Sequence, residues 1–181
     1  MGLIWAVAVL LWGFAEATLF FIVPDVLLNV AALRLGLRKA LWLCPAAAAG
    51  AMLGGVLMWY WGARDIESAR QAVLQVPAVG PDLLARVTHE ITQGWAFHMA
   101  RGPFTGAPYK LYAVEAGAAG INPFLFAAVS IPARLPRFLA TTIATALMQR
   151  ALTRWRIPVS PYVPLALAWI VNYAIYFYLR G

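Results

Sequence analysis

Seven ionisable side chains lie within or at the edge of apolar sequence: the acids Glu16, Asp25 and Glu115, and the bases Arg101, Lys110, Arg134 and Arg137. A charge at the centre of a bilayer helix costs at least about 2.5 kcal/mol on insertion scales, so in lipid such residues mark function. Carboxylates in that setting suit proton coupling or transport, which makes Glu16, Asp25 and Glu115 the candidates for that role. Cations held in low dielectric suit an anionic headgroup, and Arg101, Lys110, Arg134 and Arg137 are the candidates there. Two bland readings stand beside these. The acids and bases neutralise one another across the chain, or the arginines rest at an interface with their stems in lipid, as long side chains do. For Arg134 and Arg137 the interfacial reading carries equal weight.

The surroundings are lipid-like. Of the 181 residues, 63% are hydrophobic and only 12% are charged, about half the charged share of an ordinary soluble domain. The mean hydropathy is +0.75. A soluble fold of this length has no means of hiding so much apolar surface. The net charge of +7 is spread as scattered arginines, with no dense basic stripe or recognition motif, so it does not indicate nucleic acid. Cys44 is the single cysteine, which excludes an intramolecular disulfide and a cysteine-based metal site. His89 and His98 lack metalloprotease spacing, and no metal or other cofactor is expected. The chain carries no GxSxG, HExxH or phosphate-binding loop, and no catalytic residue or enzymatic activity is expected.

The elements that must position the charges follow from apolar run lengths. Residues 40–63 are uncharged and long enough to span, since a crossing takes roughly 20 residues. They include Gly50, Gly54 and Gly55, small residues that admit a neighbouring helix. Residues 157–180 form a second expected crossing, ending in an aromatic cluster at Tyr173, Tyr176, Phe177 and Tyr178 that suits a membrane interface. Residues 118–149 form a third, in which Pro132 and Pro136 are expected to bend or interrupt the helix. Residues 64–93 are polar. Their apolar residues Leu83, Leu84, Val87 and Ile91 share one helical face, as in an amphipathic helix on a membrane surface.

Two segments break the pattern. Residues 3–33 are apolar for longer than one crossing yet contain Glu16, Pro24 and Asp25. Residues 95–117 contain GPFTGAP, two prolines and two glycines in seven residues, which predicts a turn. A turn at membrane depth must be shielded by protein or line a wet cavity. Each segment therefore reads as a re-entrant helical hairpin. The charge map agrees. Arg34, Arg38 and Lys39 form one basic loop, and Arg150, Arg154 and Arg156 another. Both fall on one face, the cytoplasmic one by charge bias, only if residues 95–117 return to their own side.

The stretches GFAEATLFFIVPDVLLNVAAL and RGPFTGAPYKLYAVEAGAAGINPFLF resemble, in order, the two signatures of the DedA family, also called the SNARE-associated or VTT-domain family. The resemblance covers roughly residues 10–145. It implies an all-α integral membrane protein in which transmembrane helices enclose two facing re-entrant hairpins. It also implies movement of lipids between leaflets, polyprenyl phosphate or phospholipid, at a bacterial inner membrane. Glu16 and Asp25 match the family's acidic positions, and Arg101 and Lys110 stand for its two hairpin basic residues. This chain has Arg-Gly where the common form is Gly-Arg, and Lys where a second Arg is usual. Arg134 and Arg137 therefore remain alternates.

The functional expectation is a lipid flippase or scramblase for an anionic lipid, with protons as the candidate coupling ion and self-association left open. A proton-coupled carrier of a small soluble solute uses the same broken helices. A scaffold whose main business is helix packing is the third reading.

Overall fold

The computed structural model describes residues 2–178, with Phe104 described in its backbone only. Among these residues are nine helices and no strand. They are α1 (Gly2–Ala17), α2 (Asp25–Leu35), α3 (Leu37–Arg64), α4 (Ile66–Leu74), α5 (Pro81–Thr92), α6 (Trp95–Thr105), α7 (Tyr109–Ala118), α8 (Pro123–Arg154) and α9 (Tyr162–Tyr178). Residues 179 and 180, the end of the expected 157–180 crossing, lie outside the described residues.

Two helices, α3 with 28 residues and α8 with 32, are long and apolar enough to cross a membrane. At 1.5 Å per residue each exceeds about 40 Å, more than the hydrocarbon core requires. The most apolar stretch of α8 is only 28% buried, whereas the core helix of a soluble protein would be enclosed. Leu125, Ile131, Ile143 and Leu147 on α8, and Trp42, Leu53 and Leu57 on α3, are large apolar side chains facing outward. Such a surface is compatible with a lipid surround. The helix α8 runs unbroken through Pro132 and Pro136, so the prolines do not interrupt it. They withhold two backbone N–H donors within the helix.

Helix α3 is the axis. Its partners pack against backbone, which only glycine allows. A Cβ on Gly50 would lie 1.9 Å from the Leu10 carbonyl oxygen, and one on Gly54 2.5 Å from that of Phe14. The register, ten against fifty and fourteen against fifty-four, makes α1 parallel to α3. Further along, a Cβ on Gly55 would lie 2.0 Å from the Tyr109 hydroxyl and one on Gly62 2.1 Å from the Val114 oxygen, so α7 is also parallel to α3, and a Cβ on Gly117 would lie 2.0 Å from the Trp59 oxygen. The contact of Cys44 with Thr142 and the hydrogen bond from Trp59 Nε1 to the Ile121 carbonyl set α8 antiparallel.

This register fixes the path of the two broken segments. The start of α1 lies beside the N-terminal end of α3, and α2 returns there to join α3 through Gly36. Its turn, residues 18–24, lies at mid-length. The start of α6 lies by the opposite end, where Trp95 meets Phe126 at the beginning of α8, and α7 comes back to that end. Its turn is Gly106, Ala107 and Pro108, with Gly106 left-handed at φ 73°, a conformation glycine adopts freely. The α6 helix itself continues through Gly102 and Pro103, so the bend is shorter than GPFTGAP suggests. The two helix–turn–helix units are thus inverted relative to one another, and their tips meet. Lys110 Nζ donates to the Phe20 carbonyl oxygen at 2.7 Å.

The polar stretch forms a strap. The apolar face of α5, Leu83, Val87 and Ile91, joins Val73, Met99 and Tyr112 in one buried cluster, so that face meets α6 and α7. Asp65 caps α4 by accepting from the Ser68 N–H at 3.1 Å.

The glycine contacts predict the response to a single methyl group. Gly62→Ala and Gly117→Ala should each destabilise the protein by about 1–3 kcal/mol, the usual range for overpacking. Gly80→Ala, with nothing within 4 Å of its Cβ and φ −109°, meets no clash and should lose only about 0.5 kcal/mol, the difference between glycine and alanine at a helix N-cap. Thermal unfolding in detergent, comparing the three variants, checks both halves.

Candidate functional site

Where the two tips meet, α8 passes behind them and α9 closes the front. Between them lies a cavity of about 430 Å³. The sequence places opposite charges here from separate elements. Glu16 comes from the last turn of α1, Asp25 from the first turn of α2, Lys110 from the first turn of α7, and Arg134 and Arg137 from adjacent turns of α8. A spacing of three puts the two arginines on one side of α8, facing the first tip.

They divide the acids between them. Arg134 Nη2 hydrogen-bonds Glu16 Oε2, both side chains being buried. Arg137 Nη2 stands 2.8 Å from Asp25 Oδ2, a close charge contact without hydrogen-bond alignment, since that oxygen has no hydrogen-bond donor. Thr141 Oγ1 donates to the other oxygen, Oδ1, at 3.0 Å. Asn29 completes the support in the amide orientation that suits its neighbours. It donates to the Thr141 and Asp25 carbonyl oxygens at 3.2 Å and accepts from Trp169 Nε1 at 3.3 Å. Aromatic rings flank the guanidiniums. Arg134 lies 4.7 Å from the ring centre of Tyr109 and 5.3 Å from that of Phe138, and Arg137 lies 5.3 Å from Phe138 on its own side. Such faces attract cations without neutralising them. Tyr109 is itself fixed by its hydroxyl, which donates to Ser130 Oγ at 2.7 Å.

Among the described residues Lys110 has no carboxylate partner. Its side chain is buried at 2% exposure, and its one hydrogen bond runs to the Phe20 carbonyl. An ammonium carries three donors, so two remain unspent beside the cavity. The Nε–H groups of Arg134 and Arg137 are likewise buried without a hydrogen-bond partner. Helices α2 and α7 both start at the cavity after a proline, Pro24 and Pro108. Their N-terminal dipoles therefore converge on the same space and favour negative charge.

Of the seven sequence candidates, Glu16, Lys110, Arg134 and Arg137 line the cavity, and Asp25 stands directly behind Arg137. The other two lie elsewhere. Arg101 is exposed on α6, 5.2 Å over the ring of Phe97. Glu115 is buried in the far half of α7, where Arg70 grips it through two hydrogen bonds of 2.8 Å and Thr88 Oγ1 lies 3.0 Å away. Those bonds hold the pKa of Arg70 above its ordinary value. The pair ties α4 to α7. A second tie joins α5 to α7, where Tyr112 hydrogen-bonds Glu90, with Arg86 and His98 close by at 3.7 and 3.8 Å.

Sequence reasoning missed the α9 wall. Trp169, Asn172, Tyr173 and Tyr176 line the cavity, so the aromatic cluster is divided between the cavity and the exterior and is not purely an interfacial belt. Asn172 was the available signal, as the one amide in an otherwise apolar run. Comparison of the chain with protein-family models, with curated proteins and with solved structures gives no match.

The pairing predicts an asymmetry. Glu16→Gln leaves Arg134 as a buried cation without its counter-ion and should destabilise the fold by about 3–5 kcal/mol. Adding Arg134→Met should recover most of that loss. Denaturant unfolding of the single and double variants measures it, and equal stability of Glu16→Gln and wild type would remove the structural role of the pair.

Proposed function

We propose that the chain is an integral membrane protein of the DedA type, that its two helix–turn–helix units are re-entrant hairpins, and that it moves an anionic lipid between leaflets. The observation that carries this reading is the unpaired Lys110 beside the cavity. Three cations face two carboxylates there, and the cation without a carboxylate lies where two helix N-termini converge. This is a site with one positive charge in excess, inside a fold whose outer surface is apolar. A phosphate group supplies the missing anion and several acceptor oxygens. Unspent N–H groups on Lys110, Arg134 and Arg137 are the donors that meet it.

The inverted arrangement of the hairpins supports translocation over static binding. Each tip is reached from a different end of α3, so a headgroup held between the tips lies inside the bundle between its two ends, the placement expected of a carrier site. Polyprenyl phosphate and glycerophospholipids both offer the required group. A phosphate that takes the place of Glu16 and Asp25 at Arg134 and Arg137 would link headgroup binding to these carboxylates, the groups through which protons would couple to transport. The six cations of the α2–α3 junction and the end of α8, Arg34, Arg38, Lys39, Arg150, Arg154 and Arg156, are all exposed at one end of the bundle. That end faces the cytoplasm by charge bias, at a bacterial inner membrane.

Lys110→Met tests the reading with little structural penalty, because it leaves no carboxylate unpaired. Leaflet exchange of fluorescent polyprenyl phosphate and phospholipid probes in proteoliposomes should fall by about 10- to 100-fold, as expected for losing a charged hydrogen bond. The unfolding temperature should hold or rise. Unchanged exchange of both probes removes Lys110 from the headgroup site. Absence of exchange in folded wild-type protein turns the assignment to a carrier of a soluble anion.

A further inference from the structure

The walls of the cavity differ in how firmly they are fastened. Helix α8 is tied to the first hairpin by two ion pairs, α7 to α3 by backbone contact at Gly62 and Gly117, and the strap to α7 through Arg70 and Glu115. Helix α9 is the exception. Leu165 alone among its residues is buried, and its main contact is with α2. Hydrogen bonds from Val23 and to Asn29, among the described residues, pin it where it covers the cavity. The Val23 N–H donates to the Tyr173 hydroxyl oxygen at 3.0 Å, and Trp169 Nε1–H donates to Asn29.

The inner side of α9 is also unlike the rest of it. Asn172, its single amide, lines the cavity that Lys110 and Arg134 line from the other side. Directly outside, the seam between α9 and the first turn is aromatic. Phe21 meets Tyr173 and Phe177 with ring centres 6.3 Å apart in each case, and Phe20 and Phe21 are both 39% exposed. The opening thus has a polar interior and an apolar rim within a few ångströms. A fully hydrated solute does not need an apolar rim. An amphipathic molecule does, because its chains must remain in apolar surroundings while its headgroup is inside.

Resting on the lipid-translocation reading, we propose that α9 is a lateral gate. The lipid phosphate enters sideways, between α9 and residues 18–24, when the contacts that hold α9 against them release. Its hydrocarbon chains stay outside along Phe20, Phe21 and Phe177, and Asn172 contacts the headgroup opposite Lys110. Closure of α9 over the bound headgroup then excludes the surrounding lipid, as lids do elsewhere. Lys110 and the arginines remain on fixed elements throughout, and only the wall moves.

The test closes the seam chemically. In a Cys44→Ala background, Phe21→Cys and Phe177→Cys are joined by a short, reducible bifunctional thiol reagent, and exchange of the fluorescent lipid probes is followed in proteoliposomes. Exchange should fall by about tenfold or more on linking and return on reduction. Undiminished exchange in fully linked protein overturns the gate while leaving lipid translocation standing. If wild-type protein moves no lipid, the translocation reading fails first and the gate with it. A second variant covers the case in which the cysteine pair does not fold. Tyr173→Phe removes the acceptor for the Val23 N–H and loosens the closed wall, so exchange should rise by about fivefold, the equivalent of one neutral hydrogen bond. Unchanged or slower exchange in folded Tyr173→Phe overturns the proposal.

Discussion

Arg134 and Arg137 sit three residues apart on α8 and reach two carboxylates presented by one turn, Glu16 before it and Asp25 after it. That cross-linking of a turn to a long helix is the constraint on which the remaining arrangement depends. A turn without regular hydrogen bonding at the middle of an apolar bundle has no stable position of its own, and unpaired polar groups there are expensive. The two ion pairs fix it in depth and in rotation. Once it is fixed, the Phe20 carbonyl is placed to receive Lys110, and the second turn is placed as well. Buried pairs of this kind contribute little net stability compared with apolar residues of the same volume. Their contribution here is geometric, since they determine which backbone atoms face the cavity.

Helix α3 supplies the complementary constraint. Its glycines let α1 pack along one half and α7 along the other with backbone in contact, both parallel to it. The same helix therefore serves as the reference for both helix–turn–helix units, and their inversion follows from where each one starts. The strap of α4 and α5 covers α7 and brings Val76 and Pro77 to the cavity wall. Its polar face carries the fastening charges Arg70, Arg86 and Glu90, which explains why the one hydrophilic stretch of the chain is mixed in sign.

Much of this was legible in the residues, for identifiable reasons. Long apolar runs read as α3 and, continuing past Arg134 and Arg137, as α8, because a membrane crossing requires such length. Charges and prolines inside apolar sequence pointed to the two broken segments because both are costly there. Pairing was not legible. Nothing in spacing says that Glu16 meets Arg134 across 118 residues, or that Glu115 belongs to Arg70 and so stands apart from the cavity. Arg101 has the right type and neighbourhood but falls on the exposed face of α6, a matter of helical phase that the turn at Gly106 decides. The segment 157–180 read as an ordinary crossing because hydropathy averages over its faces, and a lone Asn172 hardly changes the average. Pro132 and Pro136 suggested an interruption, yet α8 is continuous, because proline removes only its own donor and neighbouring turns keep the rest of the ladder.

The hydrogen bond from Lys110 to the Phe20 carbonyl has a consequence for electrical insulation. A protein embedded in an energised membrane must not become a leak, since each elementary charge falling through 100 mV releases about 2.3 kcal/mol. Two helix–turn–helix units meeting tip to tip would conduct if water became continuous between them. Here the junction is a contact between a backbone oxygen and an ammonium group, flanked by guanidiniums. A fixed positive charge at a constriction repels hydronium and metal cations alike, as it does in pores that pass water but exclude protons. On the anion-carrier reading proposed above, the residue that would meet the anion therefore also sets a fixed positive charge at the junction of the two turns.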